Sequence, residues 1–234
     1  KDNHDKVWTD YRGKKYIDPS AVDYWEYVTE LSRRVHQMGF DEIQVDYIRF
    51  PSDGDTANIY YPYSQDKLDK LGYTQGRLSV IEDFMQYYTT TLRREYPDIV
   101  LSADVFGMTT SLSGDLTIGQ KLEPFMKYFD YVSPMVYPSH YPKFFIPLEG
   151  HPDNHPYEVV KKAMDDGVRK AQRGEYDTDK LRPWLQDFTC TWCEGYFRYG
   201  AGEVREQIDA TYDAGLDSWL LWNAGSRYTR EALQ

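Results

Sequence analysis

The 234-residue sequence is short of positive charge and of long apolar runs. Only 27 Lys and Arg stand against 38 Asp and Glu, which gives a net charge of −11. Such a chain repels a phosphate backbone and an acidic membrane surface alike. Its apolar runs fall well short of the roughly 20 residues that a membrane-spanning helix needs. The composition therefore argues against nucleic acid as a partner and against membrane insertion, and it leaves the oligomeric state open.

Cysteine is almost absent, since Cys190 and Cys193 in CTWC are the only two. Two thiols cannot complete a structural zinc site, and no second pair exists. A redox pair is expected to open a helix, whereas Gly195 and aromatic residues follow here. The pair is therefore interpreted as a local disulfide or as two idle thiols rather than as a redox or metal centre. The sequence predicts no metal and no cofactor.

Aromatic residues, in contrast, are abundant, with 22 Tyr, 10 Phe and 6 Trp. Together with a hydrophobic fraction of 41% they can build a substantial core. Flat amphipathic rings also suit the faces of sugars, although many of them serve packing alone. Because no linker or low-complexity segment interrupts the chain, residues 1–234 are expected to form a single domain.

One unit recurs along the chain: a helix ends, an aromatic residue or Gly precedes Asp, and an apolar strand follows. Asp18 is expected to cap the first helix and Gly39 to end it. Later helices are expected near 78–95, 117–129, 157–173 and 202–214, and strands at 43–50, 99–106, 131–137, 181–188 and 218–223. Apolar stripes are formed by Val22, Trp25, Val28, Leu31, Val35 and Met38 in the first helix and by Ile81, Met85, Tyr88 and Leu92 in the second.

The alternation of helices with nearly continuous apolar strands predicts an α/β fold with parallel strands covered on both faces. No Gly-rich phosphate loop follows a strand, which weakens a doubly wound sheet. Polar residues gather instead after the strands, where TIM (β/α)8 barrels keep their chemistry. We therefore expect a fold of the TIM-barrel type. Since a closed barrel needs eight strands and five are recognisable, the barrel is partial or the sheet is open.

Two acids stand near the ends of consecutive strands, Asp46 in DEIQVDYIRFP and Asp104 in LSADVFG. Because side chains alternate along a strand, Asp46 is expected to share a face with Gln44 and Ile48. Adjacent strands could bring the two carboxylates to roughly 5 to 6 Å, the spacing of a retaining glycosidase. One acid then attacks the sugar, and the other, with a raised pKa, protonates the leaving oxygen. We assign Asp46 as nucleophile and Asp104 as acid/base, with Arg49 holding Asp46 ionised.

Ordinary structural roles are open to the same acids. Asp46 could pair with Arg49, Asp104 could cap the TTS turn that follows it, and Asp187 is a rival acid after the fourth strand. The remaining polar and aromatic residues near the strand ends are predicted to bind sugar, and they are Tyr47, Arg49, Tyr137, His140, Trp184, Gln186, Asp187, Trp222 and Asn223.

Histidine offers an alternative chemistry. His140 in YPSHYP could bind a sugar hydroxyl, act in acid–base catalysis or have no role. Ser139 is not expected to pair with it as nucleophile and base, because adjacent residues rarely face each other. His151 and His155 have the spacing of metal ligands only on a helix, and the prolines that follow each of them argue against one.

Several motifs, in order along the chain from about residue 7, resemble a glycoside hydrolase family first described as a bacterial domain of unknown function. They are VDYIRFPSDG, LSADVFGMTTS, IGQKLE, YVSPMVYPSHY, HPYEVV, LRPWLQDF and SWLLWNAGSRYT. The resemblance implies a TIM barrel with a catalytic Asp after strand four, which is VDYIRFP on this match. SADVFG, SPMVYP, RPWLQDF and WLLWN would then be strands five to eight. Strands one to three would precede WTDYRGKKYIDP, and residues 54–76 and the segment around CTWCEGYF resemble insertions.

The sequence therefore predicts a glycoside hydrolase that acts on an oligo- or polysaccharide. Two alternatives stay open: a non-catalytic carbohydrate-binding module on the same scaffold, and a metal-dependent hydrolase that uses His140, His151 or His155 with an Asp. The family and the acidic, aromatic-rich composition favour the exterior or the cell envelope of a bacterium. The polar opening KDNHDKV suggests a processed or trimmed product.

Overall fold

The computed structural model describes residues 6–193 and 196–234, so that residues 1–5 of the polar opening, together with Glu194 and Gly195, lie outside the described part. The chain divides into two compact units. The first comprises Lys1–Ala103 and Ser113–Phe129, and the second comprises Asp104–Leu112 and Asp130–Gln234. That residues 1–234 form a single domain remains a prediction, since this division does not test it.

The two units contain the helices and strands in alternation. The first unit contains α1 Val22–Gln37, β1 Glu42–Val45, α2 Gln65–Leu71, α3 Tyr73–Glu95, the start of β2 Val100–Phe106, and α4 Leu122–Tyr128. The second contains the end of β2, then β3 Tyr131–Val136, α5 Pro156–Arg173, β4 Trp184–Gln186, α6 Ala201–Asp213 and β5 Leu220–Trp222. Short 3-10 turns lie at Thr56–Asn58, Gly107–Thr110, Pro138–His140, Pro152–Asn154, Thr178–Lys180 and Arg230–Leu233.

The strands pair in parallel within each unit. In the first unit Ile43 lies opposite Leu101, and Val45 lies opposite Ala103. In the second unit β3 pairs with β4, and β4 pairs with β5, so that Leu185 has a partner on each side. These parallel pairs confirm the predicted α/β fold, and each of the five predicted strands corresponds to one of the strands found, in shorter form.

The start of α1 differs from the prediction because Asp18 has another role. Its carboxylate accepts hydrogen bonds from the backbone N–H groups of Ser20 at 3.0 Å, Tyr63 at 2.8 Å and Ser64 at 3.1 Å. Asp18 thus ties the segment before α2 to the chain before α1, and the helix begins at Val22 instead. Gly39 stands just past the end of the helix as predicted, with a φ of +99° that favours glycine.

The predicted apolar stripe is confirmed for α3 and only in part for α1, where Trp25, Val28 and Val35 are half-buried. In α1 the buried residues are Thr29 and Ser32, while Leu31 and Met38 are exposed. The hydroxyl groups can be buried because each donates to a carbonyl of the preceding turn, and Ser32 Oγ also lies 2.7 Å from Tyr88 Oη of α3. In α3 the predicted stripe lies in the core of the first unit, with Ile81, Met85, Tyr88 and Leu92 buried.

Two further helices differ from the prediction. The predicted helix at 117–129 is shorter, because Leu116, Thr117 and Gly119 all have positive φ and cannot continue a right-handed helix. Helix α2 was not predicted; it lies in the segment 54–76 and packs closely on α3 at Gly76. None of the helices in the described part of the chain is both long and apolar enough to cross a membrane.

Candidate active site

Asp46 is the first residue after β1. The strand ends at Val45, not at residue 50, because Tyr47 has a φ of +59° that turns the chain out of the strand. The alternation of faces that we expected to extend from Gln44 through Asp46 to Ile48 therefore stops at the end of the strand. A positive φ at a bulky residue is strained and often marks a functional position.

The carboxyl group of Asp46 is partly desolvated, although the residue as a whole is exposed. Burial raises its pKa, while the backbone N–H of Tyr47, which donates to Asp46 Oδ1 at 2.6 Å, and the charge of Arg49 lower the pKa in part. Arg49 lowers the pKa of Asp46, as expected, but the opposite effect of desolvation is larger. Its guanidinium lies 4.9 Å from the centre of the Tyr47 ring and donates to the Phe50 carbonyl at 3.1 Å.

Asp104 is the residue of β2 at which the second unit begins. In the first unit Val45 lies opposite Ala103, and each of these residues is followed by one of the two acids. Within the second unit Asp104 is buried, and its Oδ1 accepts a hydrogen bond from Trp184 Nε1 at 2.8 Å. The threonine hydroxyls of the following turn donate to the carbonyls of Phe106 and Gly107.

Trp184 connects Asp104 to the end of the last strand. Its ring packs edge to face against Trp222 of β5, with the ring centres 5.8 Å apart. Trp222 is 43% exposed, so one face of this pair is open to solvent. The second unit thus brings together three of the residues predicted from the strand ends, namely Asp104, Trp184 and Trp222.

Gln186 is fully buried, which argues against the direct contact with sugar that the sequence suggested. Its Oε1 accepts from the backbone N–H of Ser139 at 3.1 Å and from Ser139 Oγ at 2.8 Å. Its Nε2 donates to Asp153 Oδ1 at 3.1 Å and to the Phe188 carbonyl at 3.0 Å. Gln186 therefore holds the loop after β3 and the turn around Asp153 in place.

Asp187 and Asn223 also have structural partners. The Asp187 carboxylate is buried and accepts from the Thr229 backbone N–H at 2.7 Å and from its hydroxyl at 2.6 Å. Asn223 donates to the Asp187 carbonyl and accepts from the Gly225 N–H at 2.8 Å. These contacts tie the C-terminal segment to β4 and argue against Asp187 as the rival acid and against both residues as sugar ligands.

An aromatic cluster lies beyond the ends of β3 and β4. Tyr137, His140 and Phe188 pack edge to face on one another, with ring centres 5.6 to 6.1 Å apart. Phe188 also lies parallel to Trp192, which is 73% exposed. The sequence reasoning did not select Phe188 or Trp192. The available signal was the position of Phe188 at the end of the predicted fourth strand and of Trp192 between the two cysteines.

The protonation of His140 follows from its hydrogen bonds. Contrary to expectation, Ser139 Oγ and His140 Nδ1 face each other at 2.8 Å. The Ser139 hydroxyl donates to Gln186 Oε1, since the Gln186 amide nitrogen faces two acceptors. Ser139 must therefore accept from His140 Nδ1–H, and this arrangement does not suit a serine nucleophile. Although His140 as a residue is exposed, partial desolvation of its imidazole lowers its pKa, opposed in part by the charge of Asp153.

The other two histidines serve the loop before α5. His151 Nδ1 accepts from the Asp153 backbone N–H at 3.2 Å, and His155 Nε2 lies 2.8 Å from the Glu149 carbonyl. Within residues 6–193 and 196–234, the one group of three metal-binding side chains is His140 with Cys190 and Cys193, and neither of these histidines belongs to it. The predicted disulfide alternative for the cysteines is confirmed, since Cys190 and Cys193 are joined.

A cavity of about 1030 Å³ lies within the first unit, around the segment 54–76. Pro51, five residues after Asp46, contributes to its wall, and Asp18, Asp55, Asn58 and Gln65 supply polar atoms. The aromatic residues of the wall are Trp8, Tyr16, Tyr60, Tyr61, Tyr63 and Tyr73. Rings interleaved with hydrogen-bonding groups are suited to a ligand that is apolar on its faces and polar at its edges.

The fold is similar to those of several carbohydrate-related proteins. The PgaB (BpsB) glycoside hydrolase domain from Bordetella bronchiseptica is 15% identical, with a TM-score of 0.64 over 93% of this chain and 64% of that one. A chitinase from Chromobacterium violaceum is 14% identical, with a TM-score of 0.60 over 97% and 77%. The chitinase-like agglutinin RobpsCRA from Robinia pseudoacacia is 15% identical, with a TM-score of 0.52 over 92% and 73%. The chain spans less than two thirds of the Bordetella domain.

At such identities the likeness to solved structures concerns the fold. A search among curated proteins finds no significant match. Residues 1–228 match a protein family whose description reads "Putative glycosyl hydrolase domain". Since this match covers nearly the whole sequence, the chain belongs to that glycosyl hydrolase family.

Proposed function

We propose that this chain hydrolyses a glycosidic bond of an oligo- or polysaccharide, with Asp46 as a catalytic acid. The observation that carries the proposal is the carboxyl group of Asp46, which follows a parallel strand directly and has a pKa raised by desolvation. Family membership and the aromatic cavity in the same unit support it. On this proposal the five strands correspond to strands four to eight of a (β/α)8 barrel, and the protein acts at the exterior or cell envelope of a bacterium.

The two-carboxylate mechanism assigns the second role to Asp104. The sequence suggested Asp46 as the nucleophile and Asp104 as the proton donor, yet a raised pKa suits a proton donor. The Asp104 carboxyl group accepts a hydrogen bond from the indole N–H of Trp184, which orients it. We therefore propose the reverse order, in which Asp46 protonates the leaving oxygen and Asp104 supplies the negative charge.

Sugar contacts are proposed for the exposed rings and for the cavity. Tyr47 and Trp222 are exposed; Tyr47 is the second residue after β1, and Trp222 is the last residue of β5. His140 has its Nε2 lone pair for a sugar hydroxyl once Nδ1–H is donated to Ser139. Tyr137 packs on His140, and Arg49 lies over Tyr47, so both position a neighbouring ring.

The test is hydrolysis of a carbohydrate panel by the wild type and by Asp46→Asn and Asp104→Asn. Because solved relatives of the fold are named chitinases, soluble chitin oligosaccharides are the first substrates to try. Each substitution is expected to lower kcat by at least about 100-fold, while Asp41→Asn, an exposed residue at the start of β1, should leave kcat unchanged. Full activity of Asp46→Asn on a substrate that the wild type cleaves would refute the assignment.

A second candidate is a non-catalytic carbohydrate-binding module. The similarity in fold to an agglutinin favours this candidate, because the name of that protein denotes binding. If the protein is such a module, the same oligosaccharides should bind with equal affinity to the wild type and to the double variant Asp46→Asn, Asp104→Asn. Neither protein should hydrolyse them. Calorimetry on both proteins separates it from the hydrolase.

A further inference from the structure

Three metal-binding side chains meet beside the aromatic cluster of the second unit. One ring nitrogen of His140 and the Sγ atoms of Cys190 and Cys193 lie within 4.8 Å of one another. Cys190 is fully buried, Cys193 is half-buried, and His140 is exposed, so the group is backed by protein on one side and open on the other. The two sulfur atoms form a disulfide in this structure.

The hydrogen bonds around His140 prepare one of its nitrogens for a metal. Nδ1–H donates to Ser139 Oγ, whose own proton goes to Gln186 Oε1, and Gln186 is anchored by Asp153 and the Phe188 carbonyl. This chain of donors sets the tautomer, so that the lone pair resides on Nε2. A metal-binding histidine commonly has its other ring N–H held in this way, which orients the ring.

We propose that reduction of the Cys190–Cys193 disulfide converts this group into a zinc site with two thiolate ligands and one imidazole ligand. A dithiol reductant supplies two electrons and two protons, the S–S bond breaks, and the reductant becomes a disulfide. Zn²⁺ then replaces the two thiol protons and accepts His140 Nε2 as its third ligand. The fourth position faces the open side of the group, where water or an anionic ligand can bind.

The geometry suits this ion without a large movement. Zinc binds sulfur at about 2.3 Å and imidazole nitrogen at about 2.0 to 2.1 Å, so a tetrahedral site places its ligand atoms roughly 3.5 to 3.8 Å apart. A ring nitrogen of His140 and the two sulfur atoms lie within 4.8 Å of one another, a spacing that side-chain rotation can bring to this geometry once the sulfur atoms separate. Two thiolates and one imidazole form a ligand set that zinc sites with an open position use.

The oxidised and the reduced protein would then differ in what His140 does. With the disulfide intact, its Nε2 is available to other partners, whereas zinc binding in the reduced protein occupies it. The site does not rest on the proposed hydrolase activity, since none of its ligands is Asp46 or Asp104.

The experiment uses Co²⁺ as a spectroscopic probe for the zinc site. The whole chain is reduced anaerobically, freed of the reductant and titrated with Co²⁺, and then with Zn²⁺ in competition. The reduced protein is expected to bind one equivalent with a thiolate-to-cobalt absorption band that Zn²⁺ abolishes, and the oxidised protein is expected to show no such band. A reduced protein without the band, or an oxidised protein with the same affinity, would overturn the proposal.

Variants identify the ligands. His140→Ala and Cys193→Ser are each expected to weaken Co²⁺ binding at least about ten-fold, while His36→Ala, in the first unit, should leave it unchanged. Wild-type affinity in His140→Ala would reduce the site to the thiols alone and would refute the proposed ligand set. If a cysteine variant fails to fold, alkylation of the reduced wild type provides the same test, since blocked thiols should abolish the band.

Discussion

Trp184 Nε1 donates a hydrogen bond to Asp104 Oδ1 over 2.8 Å, which joins a side chain of β4 to one of β2 within the second unit. The bond explains why a carboxyl group can be buried after an apolar run of residues, since a buried acceptor needs a donor. Tryptophan suits this half-buried position, because its indole supplies one directed N–H on an otherwise apolar ring. The pair therefore serves stability and the proposed chemistry together.

Trp184→Phe should destabilise the protein by about 1 to 3 kcal/mol, because the buried Asp104 carboxylate loses a donor while the ring is largely kept. Chemical unfolding measures the loss. Trp219→Phe is the matched control, since the Trp219 indole donates to Tyr212 Oη in an exposed position and should cost less. Equal losses in the two variants would contradict the importance of the Asp104 contact.

The variant Asp46→Asn should show how much the ionised Asp46 carboxylate destabilises the folded state. A carboxyl group with a raised pKa in the folded state destabilises that state when it is ionised and costs nothing when it is protonated. The variant is therefore expected to be at least as stable as the wild type at pH 7, and the difference should vanish below about pH 4, near the ordinary pKa of Asp.

Thermal unfolding at several pH values measures this difference, with Asp41→Asn as the control for the loss of one negative charge. A variant that is less stable than the wild type at pH 7, with a gap that closes in acid, would show a lowered pKa and would remove the basis for Asp46 as proton donor.

Gln186→Leu should cost more than a surface glutamine does. The substitution leaves the N–H and hydroxyl of Ser139 and the carboxylate of Asp153 without their buried partner. A loss of at least about 2 kcal/mol is expected from these unpaired groups. Gln172→Leu, an exposed residue of α5, is the control and should change stability little. A loss below that of the control would show that Gln186 has no such positioning role.

Two helix glycines should respond to alanine with opposite signs. A Cβ at Gly76 in α3 would come within 2.8 Å of Leu68 Cα, so Gly76→Ala should destabilise by about 1 to 3 kcal/mol. A Cβ at Gly202 in α6 would have nothing within 4 Å, so Gly202→Ala should stabilise by up to about 1 kcal/mol. Thermal unfolding compares the two, and a shift of the same sign in both would refute the close packing of α2 on α3.

Local patterns were enough to predict the class of fold. Apolar runs after amphipathic helices indicated parallel strands, and each predicted range overlaps a strand of the structure. The stripe of α3 was also readable, since Met85 and Leu92 recur with the period of a helix and lie in the core. In α1 the same pattern held only in part, because Thr29 and Ser32 bond to their own helix and are buried, and periodicity carries no information about such bonds.

The site was only partly readable from the sequence. The positions of Asp46 directly after β1 and of Asp104 near the end of β2 follow from the chain order, since both are set by residues adjacent in sequence. The roles of Gln186 and Asp187 could not be predicted from the sequence, because they depend on partners 47 and 42 residues away in the chain. The sequence by itself thus determined the α/β architecture and which acids lie near the ends of its strands. Only the tertiary structure decided which polar groups face solvent and which are bound inside, because burial and hydrogen bonding are set by segments distant in the chain.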